Sequence, residues 1–204
     1  EGYAYVPQPK QRKTIMVVDL DFRFTEKVEV DRSRYIQFIE GLLPGLTKGE
    51  HWVVLCESEE PAYLKQKSKS KKSEDPEVGQ VWKAGAHIYI KTPTPVTQKK
   101  SIAFRKKHLG LIPEIFGDLP HASMDPESIW DYKPTRRDTW VTMVGGTKPS
   151  GFGGHAGPKR PVYIITVKDR KVTTIMDEDA CDQLLSNQNQ SVHLLKTLYA
   201  SAMY

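Results

Sequence analysis

The chain has 204 residues, of which 27% are charged and 38% hydrophobic, with a formal net charge of +5. This is the composition of a globular domain with a sizeable core, not of a disordered or fibrous chain, and no apolar run approaches the roughly 20 residues a membrane helix needs. Two cysteines, Cys56 and Cys181, exclude a disulfide framework and a four-cysteine zinc site, and the positive balance leans toward a polyanionic partner.

The elements follow in chain order. Residues 1–12 form a polar, proline-containing arm with no apolar signal-peptide core. They lack an initiator Met, so a fragment or processed product is expected, and the two cysteines lead to the expectation of an intracellular, soluble protein. Lys13 to Phe22 is a β-branched-rich strand. Asp31 to Leu43 has helical apolar spacing (Tyr35, Ile36, Ile39, Leu42 and Leu43), and Pro44 is its stop. Trp52 to Cys56 and Val81 to Ile90 read as buried strands. Between them, Lys65 to Lys72 opens a solvated excursion. Ser101 to Phe116 reads as a helix with breaks available at Gly110 and Pro113. Thr139 to Val144 is a short strand, followed by a glycine- and proline-rich loop from Gly145 to Pro161. Strands at Pro161–Lys168 and Val172–Met176 are joined by a hairpin at Asp169-Arg170, and a C-terminal helix occupies about 178–203. Strands that first alternate with helices and then cluster predict an α+β, or mixed α/β, single domain over 1–204.

Three local patterns carry chemistry. In Val17-Val18-Asp19-Leu20-Asp21-Phe22, residues two apart share a strand face. Asp19 and Asp21 therefore project together while Val18, Leu20 and Phe22 turn to the core. Adjacent carboxylates repel unless a cation sits between them, and a hard ion such as Mg²⁺ or Mn²⁺ suits them; two solvated acids at a strand end is the bland reading. In Ala84-Gly85-Ala86-His87-Ile88-Tyr89-Ile90, the inward alternation of Ala86, Ile88 and Ile90 puts His87 and Tyr89 on the opposite face with Lys91. Gly85 there predicts an open strand entry where a ligand approaches the backbone. Third, Asp131 precedes the strand from Trp140, which ends in Gly145-Gly146-Thr147-Lys148. Glycines let amides approach phosphate oxygens and a lysine supplies a point charge.

The order of these pieces resembles the archaeo-eukaryotic primase superfamily, and within it the primase domain of poxvirus-type and other large-DNA-virus primase–helicases. The D-x-D motif is matched by Asp19 and Asp21, and the S-x-H motif by His87 with Gly85 in the serine position. The third acid is matched by Asp131, and the lysine after the following strand by Lys148. Asp125 and Asp138 lie close enough to compete for the third place.

The resemblance implies an N-terminal α/β unit packed on an RRM-like unit, with the active site between them. It also implies template-directed nucleotidyl transfer that makes primers on single-stranded DNA. Asp19, Asp21 and Asp131 would hold two Mg²⁺ or Mn²⁺ ions, and His87, Gly85 and Lys148 would bind the triphosphate of an NTP or dNTP. The implied partners are single-stranded DNA and a C-terminal superfamily-3 helicase beyond this chain, and the implied setting is a host cytoplasmic viral factory or the nucleus. A template strand needs a cationic groove, for which Lys99-Lys100, Arg105-Lys106-Lys107, Arg136-Arg137 and Lys159-Arg160 are the candidates. Two other readings compete. One is a haloacid-dehalogenase-type phosphatase, which also opens with D-x-D but expects Thr or Val where Arg23 stands. The other is a non-catalytic nucleic-acid-binding accessory domain, which would gain nothing from clustered acids.

Overall fold

Residues 18–24 alternate in burial as a half-buried strand should: Val18, Leu20, Phe22 and Phe24 are buried, while Asp19 and Asp21 are only partly covered. A computed structural model describes residues 5–7, 13–65, 81–132, 140–142 and 159–187. In it this segment is strand β2 (Lys13–Phe24), preceded by a short β1 (Tyr5–Pro7). Helix α1 (Arg32–Leu42) follows, its start fixed by the Asp31 carboxylate, which accepts from the Ser33 amide at 2.9 Å. A 3₁₀ turn over Leu43–Gly45, with Pro44 inside it, ends the helix. Strands β3 (Glu50–Lys65) and β4 (Val81–Val96) are longer than the apolar runs inside them. Beyond those runs the residues are mostly polar or proline, and ladder pairing extends the strands through them. Lys65, expected to open a solvated excursion, is the last residue of β3.

The expected helix over Ser101–Phe116 is two helices, α2 (Gln98–His108) and α3 (Leu111–Phe116). The break falls at Leu109-Gly110, whereas Pro113 sits in the first turn of α3, where a missing N–H costs nothing. Then come α4 (Pro126–Ile129), β5 (Trp130–Asp131) and β6 (Trp140–Thr142), followed by β7 (Lys159–Lys168), β8 (Lys171–Met176) and α5 (Glu178–Ser186). Asp169 and Arg170 both adopt positive φ (49° and 68°) in the β7–β8 turn, the backbone that matches strand twist in a two-residue hairpin. The helix expected over about 178–203 is described only as α5, and Val192, Leu195 and Leu198 lie outside the described residues.

Six strands form one antiparallel sheet in the order β5-β2-β4-β3-β7-β8, while β1 and β6 pair separately. The fold is thus α+β, as expected. One face carries the main core, where Phe22 packs on Phe116 (ring centroids 4.8 Å apart) and Phe38 on Trp130 (5.5 Å). The other face changes character along its length. At one end a smaller cluster of Val17, Val54, Cys56, Tyr89 and Ile164 is covered by Cys181 and Leu184 of α5. Beyond that cover the same face turns polar, at Asp19 and Asp21.

Arg32, at the start of α1, ties the two ends of the chain together: Nε donates to Glu57 of β3 at 2.8 Å and Nη1 to Glu178 of α5 at 2.5 Å. Burial pushes the Glu57 carboxyl above its usual range, and the Arg32 guanidinium opposes that shift.

Cys56 and Cys181 are both fully buried. Burial, reinforced by Asp182 and Asp177, pushes the Cys181 thiol up to about 11. Neither thiol is expected to react with Ellman's reagent at pH 8 until the protein is denatured, and rapid labelling of the native protein would show that α5 does not seal this face. A folded thiol above its unfolded value of 9.0 also means that Cys181 costs stability only as the pH rises from 9 toward 11.

Candidate active site

Sheet register assembles the candidate site. Across β2, Asp19 stands directly opposite His87 of β4 on one side and Asp131 of β5 on the other. Two residues along, Asp21 stands opposite Gly85. Cross-strand partners hold their Cβ atoms about 4.5–5.5 Å apart, and like charges placed so are destabilising. Two acids face to face with a third two residues away therefore form a locus of concentrated negative charge on the sheet.

The acids meet partners supplied by β4. His87 Nε2 lies 3.1 Å from Asp19 Oδ1, and Lys83 Nζ lies 2.5 Å from Asp21 Oδ1. The Tyr89 hydroxyl lies 3.0 Å from His87 Nδ1. With Nε2–H donating to a carboxylate, Nδ1 of a neutral imidazole is the acceptor and Tyr89 the donor. The ring is thereby held in one orientation, buried, with Nε2 turned to the acids. Lys83, Gly85, His87 and Tyr89 share one face of β4 by the period of two, and this spacing is the signal that could have revealed Lys83 from the sequence.

Gly85 corrects an expectation. A Cβ there would sit 2.0 Å from the Leu20 carbonyl oxygen of β2. The space freed by the missing side chain is filled by the neighbouring backbone and does not form an open entry. A serine in this position would force the strands apart, so the hydroxyl of an S-x-H motif has no room here.

The third acid also has a clear placement. Asp125 accepts from the Glu127 amide at 3.1 Å and caps α4, whereas Asp131 faces Asp19 across the ladder. Asp138 and Lys148 lie outside the described residues, as do Arg136 and Arg137.

Of the candidate strand-binding cations, Arg105 is corrected. It is buried, its Nε and Nη2 donate to the Trp130 carbonyl at 2.8 and 2.5 Å, Nη2 also donates to the Glu127 carbonyl at 2.7 Å, and Nη1 pairs with the Glu127 carboxylate at 2.5 Å. It braces β5, the strand that carries Asp131, and does not present its charge to a ligand. Lys99, Lys100, Lys106 and Lys107 are exposed on α2. Arg160 is exposed and paired with Asp182, and Lys159 contributes its backbone to β7.

Residues 8–155, well over half of the chain, match the family model of the C962R protein N-terminal AEP domain. The chain belongs to the archaeo-eukaryotic primase (AEP) superfamily. No curated protein matches it. The AEP match spans Asp19, Asp21, Gly85, His87, Asp131 and Lys148 and ends before β7, so β7, β8 and α5 complete the sheet from outside the matched stretch. AEP membership supports a primase or nucleotidyltransferase type of function. Among the described residues no helix is long and apolar enough to cross a membrane.

The acids are of the kind a hard divalent cation takes. Three carboxylates occupy neighbouring ladder positions on one face, and the Lys83 ammonium already stands against one of them as a cation of the chain's own. Among the described residues no three His, Cys, Asp or Glu side chains converge as a ready cage. Asp19 is turned to His87 and Asp21 to Lys83, so loading an ion requires these side chains to rotate away from their internal partners.

Proposed function

We infer that this AEP domain is a template-directed DNA primase or primase-polymerase that joins nucleotides on single-stranded DNA during replication. The observation that carries this reading is the register placing Asp19 between Asp131 and His87, with Asp21 beside them. In such a reaction a 3′-hydroxyl attacks the α-phosphorus of an incoming NTP or dNTP. The new phosphodiester bond forms as the α–β phosphoanhydride bond breaks, the hydroxyl proton passes to solvent, and pyrophosphate leaves. Mg²⁺ or Mn²⁺ held by Asp19, Asp21 and Asp131 would supply charge neutralisation and activation of the hydroxyl.

The chain's own residues do the rest. His87, its ring held by Tyr89, would offer its Nε2–H to a phosphate oxygen of the nucleotide. Lys148 is proposed to add a point charge to the same triphosphate. The three acids stand on paired strands, so their backbone positions follow from strand register. The exposed lysines of α2 suit the template backbone, and a superfamily-3 helicase remains the proposed companion domain.

The deciding experiment is primer synthesis on single-stranded DNA with labelled nucleotides and Mg²⁺ or Mn²⁺. Metal-dependent products of increasing length are expected. A chain that binds DNA yet forms no phosphodiester bond under either ion would be an accessory binding module instead.

A second expectation concerns His87. Replacing it by alanine should weaken triphosphate binding by about 1.5–3 kcal/mol, the worth of a charge-assisted hydrogen bond, and leave affinity for single-stranded DNA nearly unchanged. Titrating each ligand separately checks this, and equal losses for both would move the triphosphate elsewhere.

A further inference from the structure

Lys83 belongs to no motif that the sequence brings forward, yet its ammonium stands 2.5 Å from Asp21 Oδ1 on the face where the acids gather. The pair is mostly covered, with side-chain exposures of 18% for Lys83 and 27% for Asp21. A cation in contact with this carboxylate and a metal ion on the same oxygen exclude each other, by space and by charge. Position 85 meanwhile has no room for a phosphate-binding hydroxyl, because the Leu20 carbonyl fills it. Lys83 is the next residue on that strand face, it is cationic, and its four-carbon stem allows the ammonium to swing.

The geometry points to Lys83 as an internal counter-cation that holds Asp21 until a divalent ion takes its place and then transfers to the triphosphate of the incoming nucleotide. This rests on the nucleotidyl-transfer reading and adds to it a residue with two successive partners. Before loading, Lys83 offsets the repulsion among Asp19, Asp21 and Asp131. After loading, the displaced ammonium faces the phosphates that accompany the ion and supplies charge that Gly85 cannot. Metal and nucleotide binding are thereby coupled: the triphosphate gives the displaced lysine a new partner, so each ligand favours the other.

The test uses Lys83→Met, which keeps the aliphatic stem, and Lys83→Arg, which keeps the charge. Mn²⁺ binding is measured without nucleotide by the loss of the free-ion electron paramagnetic resonance signal. Lys83→Met should bind Mn²⁺ roughly 3- to 10-fold more tightly than wild type, the effect of removing one close, partly screened charge. Lys91→Met is the control for bulk charge. Lys91 lies on the same strand face about 20 Å along β4 from Gly85, beyond the reach of screened charge, and should leave Mn²⁺ affinity within about twofold. With Mn²⁺ saturating, Lys83→Met should bind a non-hydrolysable deoxynucleoside triphosphate about 10-fold more weakly, and Lys83→Arg should restore most of that loss. Thermal melts confirm that each variant folds.

Mn²⁺ affinity in Lys83→Met equal to or below that of wild type, or triphosphate affinity unchanged by it, overturns the proposal. Failure of the underlying reading has a separate signature, in which Asp19→Asn and Asp21→Asn bind Mn²⁺ as wild type does.

Discussion

Replacing Asp19 or Asp21 by asparagine is expected to reduce nucleotide incorporation by about 10²–10³-fold while leaving the protein folded. The size follows from what the carboxylates would do. Each removes a ligand for a divalent ion and a full charge from the point where phosphate charge must be balanced, and losing one well-placed electrostatic partner in an active site costs about 10²–10³ in rate. The fold should tolerate the change because both side chains stand on the polar face, partly exposed, away from the Phe22–Phe116 core. Asparagine also relieves the repulsion between Asp19 and the Asp131 that faces it, so melting without metal should stay within about 1 kcal/mol of wild type. Incorporation assays beside thermal melts decide the matter. Activity within a few-fold of wild type for either variant would remove that residue from the site.

The second large effect is expected at Arg105, through a residue it never replaces. Its guanidinium is the brace of β5, donating to the carbonyls of Trp130 and Glu127 from the end of α2. β5 is two residues long, pairs with β2 only at Asp19 and Leu20, and is otherwise anchored by the buried Trp130 ring. In Arg105→Met the buried Trp130 carbonyl loses these donors, a cost of about 1–3 kcal/mol, which lowers the melting temperature by roughly 2–4 °C per kcal/mol in a domain of this size. Asp131 then loses its fixed place opposite Asp19, and a displacement of about 1 Å costs on the order of 10²-fold in rate. Lys106→Met, on the same helix but exposed, should do neither. A lowered affinity of Arg105→Met for single-stranded DNA, with melting and turnover at saturating template unchanged, would instead return Arg105 to the template groove.

These two residues mark the boundary between what a linear reading reaches and what it does not. The D-x-D of Asp19 and Asp21, the inward alternation of Val18, Leu20 and Phe22, and the sharing of one face by His87 and Tyr89 all follow from the two-residue period of a strand. That period is a property of the backbone and needs no partner. The helix ending at Pro44 and the turn at Asp169-Arg170 follow from equally local chemistry.

What lay beyond reach depends on which strand lies beside which. That β2 sits between β4 and β5, and in the one register that sets Asp131 and His87 on either side of Asp19, is decided by long-range pairing across more than a hundred residues of chain. The resemblance prefers Asp131 to Asp125, but that Asp131 stands opposite Asp19 while Asp125 caps α4 is a matter of the fold. Gly85 reads as an opening until the Leu20 carbonyl is found in it. Arg105 reads as one more surface cation in a basic run because charge reports nothing about burial, and only the packing of α2 against β5 turns it inward. The sequence by itself determined which residue types face which side of each element. The tertiary structure decided which of those faces meet, because contact between distant segments is set by the packing of the whole sheet and not by any local preference of the chain.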